Sequence, residues 1–314
     1  MNTESNISNP GSPSPAIVRP NESQTKIATR PLNWSIRREL WENKSIYIAP
    51  LIVAAVVLLA FLVSTAGLPE RRAAVLTLGA EKARAAMEVP YDIAAMMLIF
   101  TAFIVGVFYC LDALHGERRD RSILFWKSLP VSDFTTVLSK ATIPLAVLPL
   151  IILGIVVATQ LIMGLWTSGL LIAHGMSPAS TWTTIPWIQN WIVLVYGLLV
   201  IALWHAPIYG WALLVSSIVR HAAFLWAVLP LIVIGIFERI TFGTSHFTSM
   251  LRERLFGFAP GAFNLGPKHD VAIESLAQLT PGKYLSNPAL WIGLIVAALF
   301  IAAAIRQRRY RGPI

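Results

Sequence analysis

Residues 46–66, IYIAPLIVAAVVLLAFLVSTA, carry no Asp, Glu, Lys or Arg over 21 positions. A helix rising 1.5 Å per residue needs about 20 mostly apolar residues to cross a hydrocarbon layer of about 30 Å, which is what this run supplies. Reading outward from it, five further runs have the same character, at 91–114, 141–166, 187–218, 222–241 and 288–305. The chain is 56% hydrophobic and 13% charged, with a mean hydropathy of +0.65, so its surface as well as its core must be apolar. No segment of about ten residues with strand-like alternation recurs, which argues against a β-barrel. The expected fold is an all-α membrane protein with six transmembrane helices, since a helix satisfies its own backbone groups in lipid.

The polar stretch ahead of the first run reads as no signal peptide, and the run itself as an uncleaved anchor. Net charge +9 and a pI near 10.0 raise the question of nucleic acid, and the placement of the charges answers it. Of the 25 Lys and Arg, 16 fall in the segments 1–45, 115–140, Arg220 and 306–314, alternate connections on one side of six spans. The positive-inside rule puts both termini in the cytoplasm, and topology then explains the basic excess without nucleic acid. The single cysteine, Cys110, excludes a disulfide within the chain and a cysteine-based metal site, and reads as a packing residue.

Residues 1–30, rich in Ser, Asn and Pro, read as a disordered cytoplasmic tail, in which the Asn-x-Ser triplets at Asn6 and Asn21 are chance. In LNWSIRRELWENK, Leu32, Trp34, Ile36, Leu40 and Trp41 interleave with Arg37, Arg38, Glu39 and Lys44, the pattern of an interfacial elbow helix leading into the first span. The Ala-rich, charged loop 67–90 is expected to form a short helix outside, and His174 in the next outer loop has no second metal ligand in view. In LWHAPIYGW, Pro207 is expected to kink or divide the fourth helix. His205 beside it either bonds a freed carbonyl or lines a substrate path. The other intramembrane polar residues, Gln160 and Asn190, are candidates for the same path. FTSMLRERLFGF, within 242–287, reads as outer amphipathic helices before the last span, and RQRRYRGPI as a headgroup anchor.

The connection between the second and third spans is HGERRDRSILFWKSLPVSDFTTVLSK, His115 to Lys140. Glu117 and Arg121 stand at i and i+4 in the favourable order and predict a helical start, Ile123, Leu124, Phe125 and Trp126 follow as an apolar run, and Pro130 stops it. Ser132 or Asp133 can cap the next helix. Because Asp112, Glu117, Asp120 and Asp133 interleave with Arg118, Arg119, Arg121 and Lys127, the segment suits a protein partner better than an anionic membrane. An interfacial helix remains the alternative.

The run ERRDRSILFWKSLPVSD resembles the cytoplasmic coupling segment of ABC-2 type permeases, the membrane subunits of ATP-binding-cassette transporters. The matching residues are Glu117, Arg118, Ser122, Ile123, Leu124, Ser128, Pro130, Val131 and Ser132, and Arg121 stands where the family usually has Gly. The layout over residues 32–310 is also similar. The resemblance implies that residues 31–314 form a six-span permease domain of a bacterial inner membrane, with Glu117, Arg118, Arg121, Ser122, Ile123, Leu124, Phe125, Trp126 and Pro130 coupling to a cytoplasmic ATPase. The elbow residues Trp34, Arg37, Arg38 and Trp41 would touch it too. Two permease chains, identical or different, and two ATPase subunits would form the unit, with ATP and magnesium held in the ATPase and no cofactor in this chain.

The residues themselves agree with a non-catalytic role. TPGKYL at Gly282 and Lys283 lacks the first Gly and the Ser or Thr of a P-loop, and neither His-Glu-x-x-His nor clustered aspartates occur. The function implied is ATP-driven export of an amphipathic compound such as a drug, peptide antibiotic or lipid. The alternatives are an ion-coupled secondary transporter and a structural or sensory membrane protein. Asp92, Asp112 and Glu238 all lie near span ends, against the first of these.

Overall fold

The computed structural model describes residues 31–122, 131–264 and 276–310. The expected tail, 1–30, and the apolar run Ile123–Trp126 with Pro130 lie outside them. The described residues from Pro31 onward form one helical unit. Its helices are α1 (Pro31–Glu42), α2 (Ser45–Ser64), α3 (Leu68–Leu76), α4 (Ala80–Ala113), α5 (His115–Arg119), α6 (Asp133–Thr142), α7 (Leu148–Ala173), α8 (Ala179–Thr183), α9 (Trp187–Ile218), α10 (Ala223–Phe242), α11 (His246–Phe256), α12 (Ala259–Ala262), α13 (Pro281–Leu285) and α14 (Pro288–Tyr310). A π-helical turn, Ile143–Val147, joins α6 to α7 around Pro144. Among the described residues the sole extended pairing is an isolated antiparallel bridge between Phe263 and Leu279.

Six helices are long and apolar enough to cross a membrane, and the burial pattern shows what surrounds them. Along α2 the buried residues are Ile46, Pro50, Ala54, Val57 and Phe61, a stripe at spacings of three and four, while Leu51, Ile52, Leu59 and Val63 point away from the protein. An outward face of large aliphatic side chains is the distribution that lipid, not water, permits. The chain is a multi-pass helical membrane protein. α4 has 34 residues, about 51 Å at helical rise, so it projects well beyond a hydrocarbon layer. It absorbs much of the expected outer loop, leaving α3 as the short helix there. The third span likewise extends on both sides of 141–166, as a continuous helical rod from Asp133 to Ala173.

The bundle is centred on α9 and α4. α9 packs most extensively on α14, and α4 lies against α2, α7 and α9. Gly210 makes the α9–α14 approach possible, because a Cβ there would stand 3.1 Å from the Ala297 carbonyl oxygen. Of the two outcomes expected at Pro207, a kink or a division, division does not occur: α9 runs from Trp187 to Ile218 with Pro207 inside it. α10 is the outlier: Ala227 is its one buried residue, and the Trp211 indole braces it by donating to the Ala227 carbonyl at 3.0 Å. Pro31 and Tyr310 lie at the same end of the bundle, called here the proximal end, where α1, α5, α6 and the last turn of α14 meet.

Candidate functional site

α1 turns Ser35 and Glu39 inward, one helical turn apart, and leaves Trp34 and Trp41 exposed. Glu39 is completely buried, an arrangement that costs several kcal/mol unless both carboxylate oxygens find donors. Both do. Lys140 Nζ on α6 donates to the two oxygens at 2.9 and 3.0 Å, Arg38 donates at 2.6 Å, and the Tyr109 hydroxyl on α4 donates at 2.9 Å. Burial pushes the Glu39 carboxyl upward in pKa, but Lys140 and Arg38 outweigh it and hold the group below its ordinary value.

Glu117 on α5 is the second centre. Its Oε1 faces Lys140 Nζ at 3.1 Å and Arg38 Nη2 at 3.4 Å, and its Oε2 accepts from Arg308 Nη2 on α14 at 3.1 Å. Arg308 Nη1 also meets the Asp133 carboxylate at the start of α6. Three acids, Glu39, Glu117 and Asp133, are thereby matched with three cations, Arg38, Lys140 and Arg308, drawn from α1, α5, α6 and α14. The neighbouring Arg118 is buried as well, and donates to the Ser217 and Val219 carbonyls at 2.9 and 3.3 Å, where the last turn of α9 runs out of helical donors. The Ser216 hydroxyl accepts from the Leu114 and His115 amides at 3.0 and 2.8 Å, so the α4–α5 break is stitched to α9.

Several expected roles change here. Glu117 does not pair with Arg121, because Arg121 has φ 57°, a left-handed conformation that ends the helix before the second turn. Arg121 is exposed, and the Ser122 hydroxyl donates to the Glu117 carbonyl at 3.3 Å. Glu117 and Arg118 face the bundle interior. Of the elbow residues, Arg38 joins the cluster, whereas Arg37 stacks over Trp41 at 5.0 Å and, with Trp34, faces outward. Ser132, rather than Asp133, caps α6 by accepting from the Thr135 amide at 3.1 Å. Arg308, expected as a headgroup anchor, is 4% exposed.

The candidate path residues are separated and internally occupied. Gln160 donates to the Tyr91 carbonyl at 3.3 Å and accepts from the Trp191 indole at 3.0 Å, and Asn190 donates to Glu88 at 3.3 Å. His205 Nδ1 and Nε2 lie 2.8 and 3.1 Å from the Ile201 and Leu255 carbonyls, neither of which is the Leu203 carbonyl that Pro207 leaves without its helical donor. Beside His205, Arg254 reaches from α11 into the bundle, over the Trp204 ring at 4.6 Å, and donates to the Trp204 and Ala289 carbonyls at 3.3 and 2.8 Å. Its slot exists because residue 293 is Gly.

A small cavity lined by Phe103, Pro144, Leu148 and Tyr209 has a volume near 20 Å³, room for about one water. Among the described residues no group of three or more His, Cys, Asp or Glu could hold a metal ion. The proximal cluster ties four helices together by paired charges, and a buried charge left without its partner is costly. The sequence placed Glu39 on the elbow, Asp133 in the 115–140 connection and Arg308 in a headgroup anchor, and gave no sign that they join Lys140 in one cluster. The available signal was Lys140 standing flush against the apolar run 141–166. Compared with protein-family models, with characterised proteins and with solved structures, the chain gives no match.

Proposed function

We propose that this chain is the membrane permease subunit of an ABC-type exporter, moving an amphipathic compound with ATP hydrolysed by a separate cytoplasmic subunit. The observation that carries the reading is where the family-like motif is rooted. Glu117 and Asp133, on either side of Ile123–Trp126, enter one buried charge cluster with the first helix and the last span. Through these ion pairs the two roots are tied directly to α1, α6 and α14. In this reading Phe125 and Trp126 supply the docking surface, while Glu117 and Arg118 hold its base. The substrate passes where two permease chains meet, since Gln160, Asn190 and His205 are occupied within one chain.

The test is co-purification of the full chain with a candidate ATPase in lipid nanodiscs, comparing wild type with a Phe125→Ala, Trp126→Ala double variant. The expected result is capture by wild type, and loss of capture or of stimulated hydrolysis in the variant. Equal capture by both, or by neither, overturns the proposal in favour of an ion-coupled or structural role.

A further inference from the structure

Four arginines close the chain, Arg306, Arg308, Arg309 and Arg311, and a headgroup anchor would use them alike. The described ones are not alike: Arg306 and Arg309 are exposed, and Arg308 is buried. Its guanidinium spends one terminal nitrogen on Glu117 and the other on Asp133. These acids belong to different helices and mark the two ends of the connection between the second and third spans. A guanidinium is planar and stays charged at any accessible pH, so its two terminal nitrogens impose a set separation on the carboxylates they hold. Helix polarity reinforces the arrangement. Arg308 lies in the last turn of α14, where a cation is favoured, and Asp133 in the first turn of α6, where an anion is favoured.

We infer that Arg308 is a positioning residue that clips the two roots of the 117–133 connection together and links them to the last span. The clip is the route by which a displacement of that connection reaches α14, and through the close Gly210–Ala297 contact reaches α9. The permease reading supplies only the identity of what displaces the connection; the clip can be tested without it.

The experiment is hydrogen–deuterium exchange on the full chain in nanodiscs, with no ATPase present, for wild type, Arg308→Gln, Arg308→Lys, Asp133→Asn and Arg309→Gln. Arg308→Gln is expected to raise amide exchange in 117–122 and 131–136 by about tenfold or more while leaving the α9 core unchanged. Asp133→Asn, which leaves Glu117 with all three cations, raises exchange only at 131–136. A lysine ammonium at this position would reach one acid at a time, so Arg308→Lys protects one root and not both. Arg309→Gln matches wild type. Exchange in Arg308→Gln equal to wild type, or raised evenly across all helices, overturns the inference; if that variant does not fold, Asp133→Asn decides by the same criterion. Adding the ATPase separates the two proposals. Capture by Arg308→Gln without stimulated hydrolysis supports both, whereas failure of wild type to capture defeats the permease reading and leaves the exchange result standing.

Discussion

Lys140 is a single ammonium between two buried carboxylates, 2.9 Å from one and 3.1 Å from the other. Removing it leaves Glu39 and Glu117 facing each other with Arg38 as their only shared cation. Breaking a buried pair costs about 3–5 kcal/mol, because the remaining charge keeps its desolvation penalty. Lys140→Met is therefore expected to lower the thermal midpoint in nanodiscs more than Glu39→Gln, which leaves Lys140 paired with Glu117. The double variant should lose less than the two singles together, a coupling that a thermal double-variant cycle measures directly. Glu39 also sets a pH dependence. Its folded pKa lies below the ordinary 4.5, so the unfolded chain takes up the proton first. The stability Glu39 contributes is complete above about 4.5 and is lost as pH falls through the lower folded value. The gap in midpoint between wild type and Glu39→Gln should accordingly narrow on acidification below that range.

At the scale of elements, glycines separate contacts that can yield from contacts that cannot. A Cβ on Gly210 meets the Ala297 backbone at 3.1 and 3.3 Å, and neither helix can give without the α9–α14 seam opening. Gly210→Ala should cost about 1–3 kcal/mol by overpacking. Gly154, on the α2–α7 groove, has nothing within 4 Å of a Cβ, so Gly154→Ala should be neutral or stabilising by up to about 1 kcal/mol through helix propensity. Thermal unfolding of the two variants side by side checks the contrast. Gly293 is intermediate in kind: its Cβ would collide with the Arg254 guanidinium, a flexible end that can withdraw, but at the loss of the Trp204 and Ala289 carbonyls. The helices were legible in sequence as apolar runs, yet their ends were not. α4 begins eleven residues before the expected start and runs through Pro90, since charged residues beyond the hydrocarbon keep a helix going as well as apolar ones do.

For the whole molecule, six spans place Pro31 and Tyr310 on one side, and the proposal that this side is cytoplasmic rests on the arginine-rich connections. Cys110 is fully buried, so the native chain should resist maleimide and serve as its own unlabelled background. Ser177→Cys, in the exposed turn between α7 and α8, should be labelled by a membrane-impermeant maleimide on intact cells. Arg309→Cys should be labelled only after permeabilisation, and the reverse pattern would invert the topology. The sequence by itself determined that the chain is helical, how many times it can cross and which end is basic, because hydropathy and charge act against the bilayer one segment at a time. It could not say which charges are internal. Arg308 and Arg309 are the same residue type at adjacent positions, and what separates them is a carboxylate 191 residues away from Arg308. Only the tertiary structure brings Glu117, Asp133 and Arg308 to one point, since a buried ion pair is decided by three-dimensional desolvation and geometry rather than by local pattern.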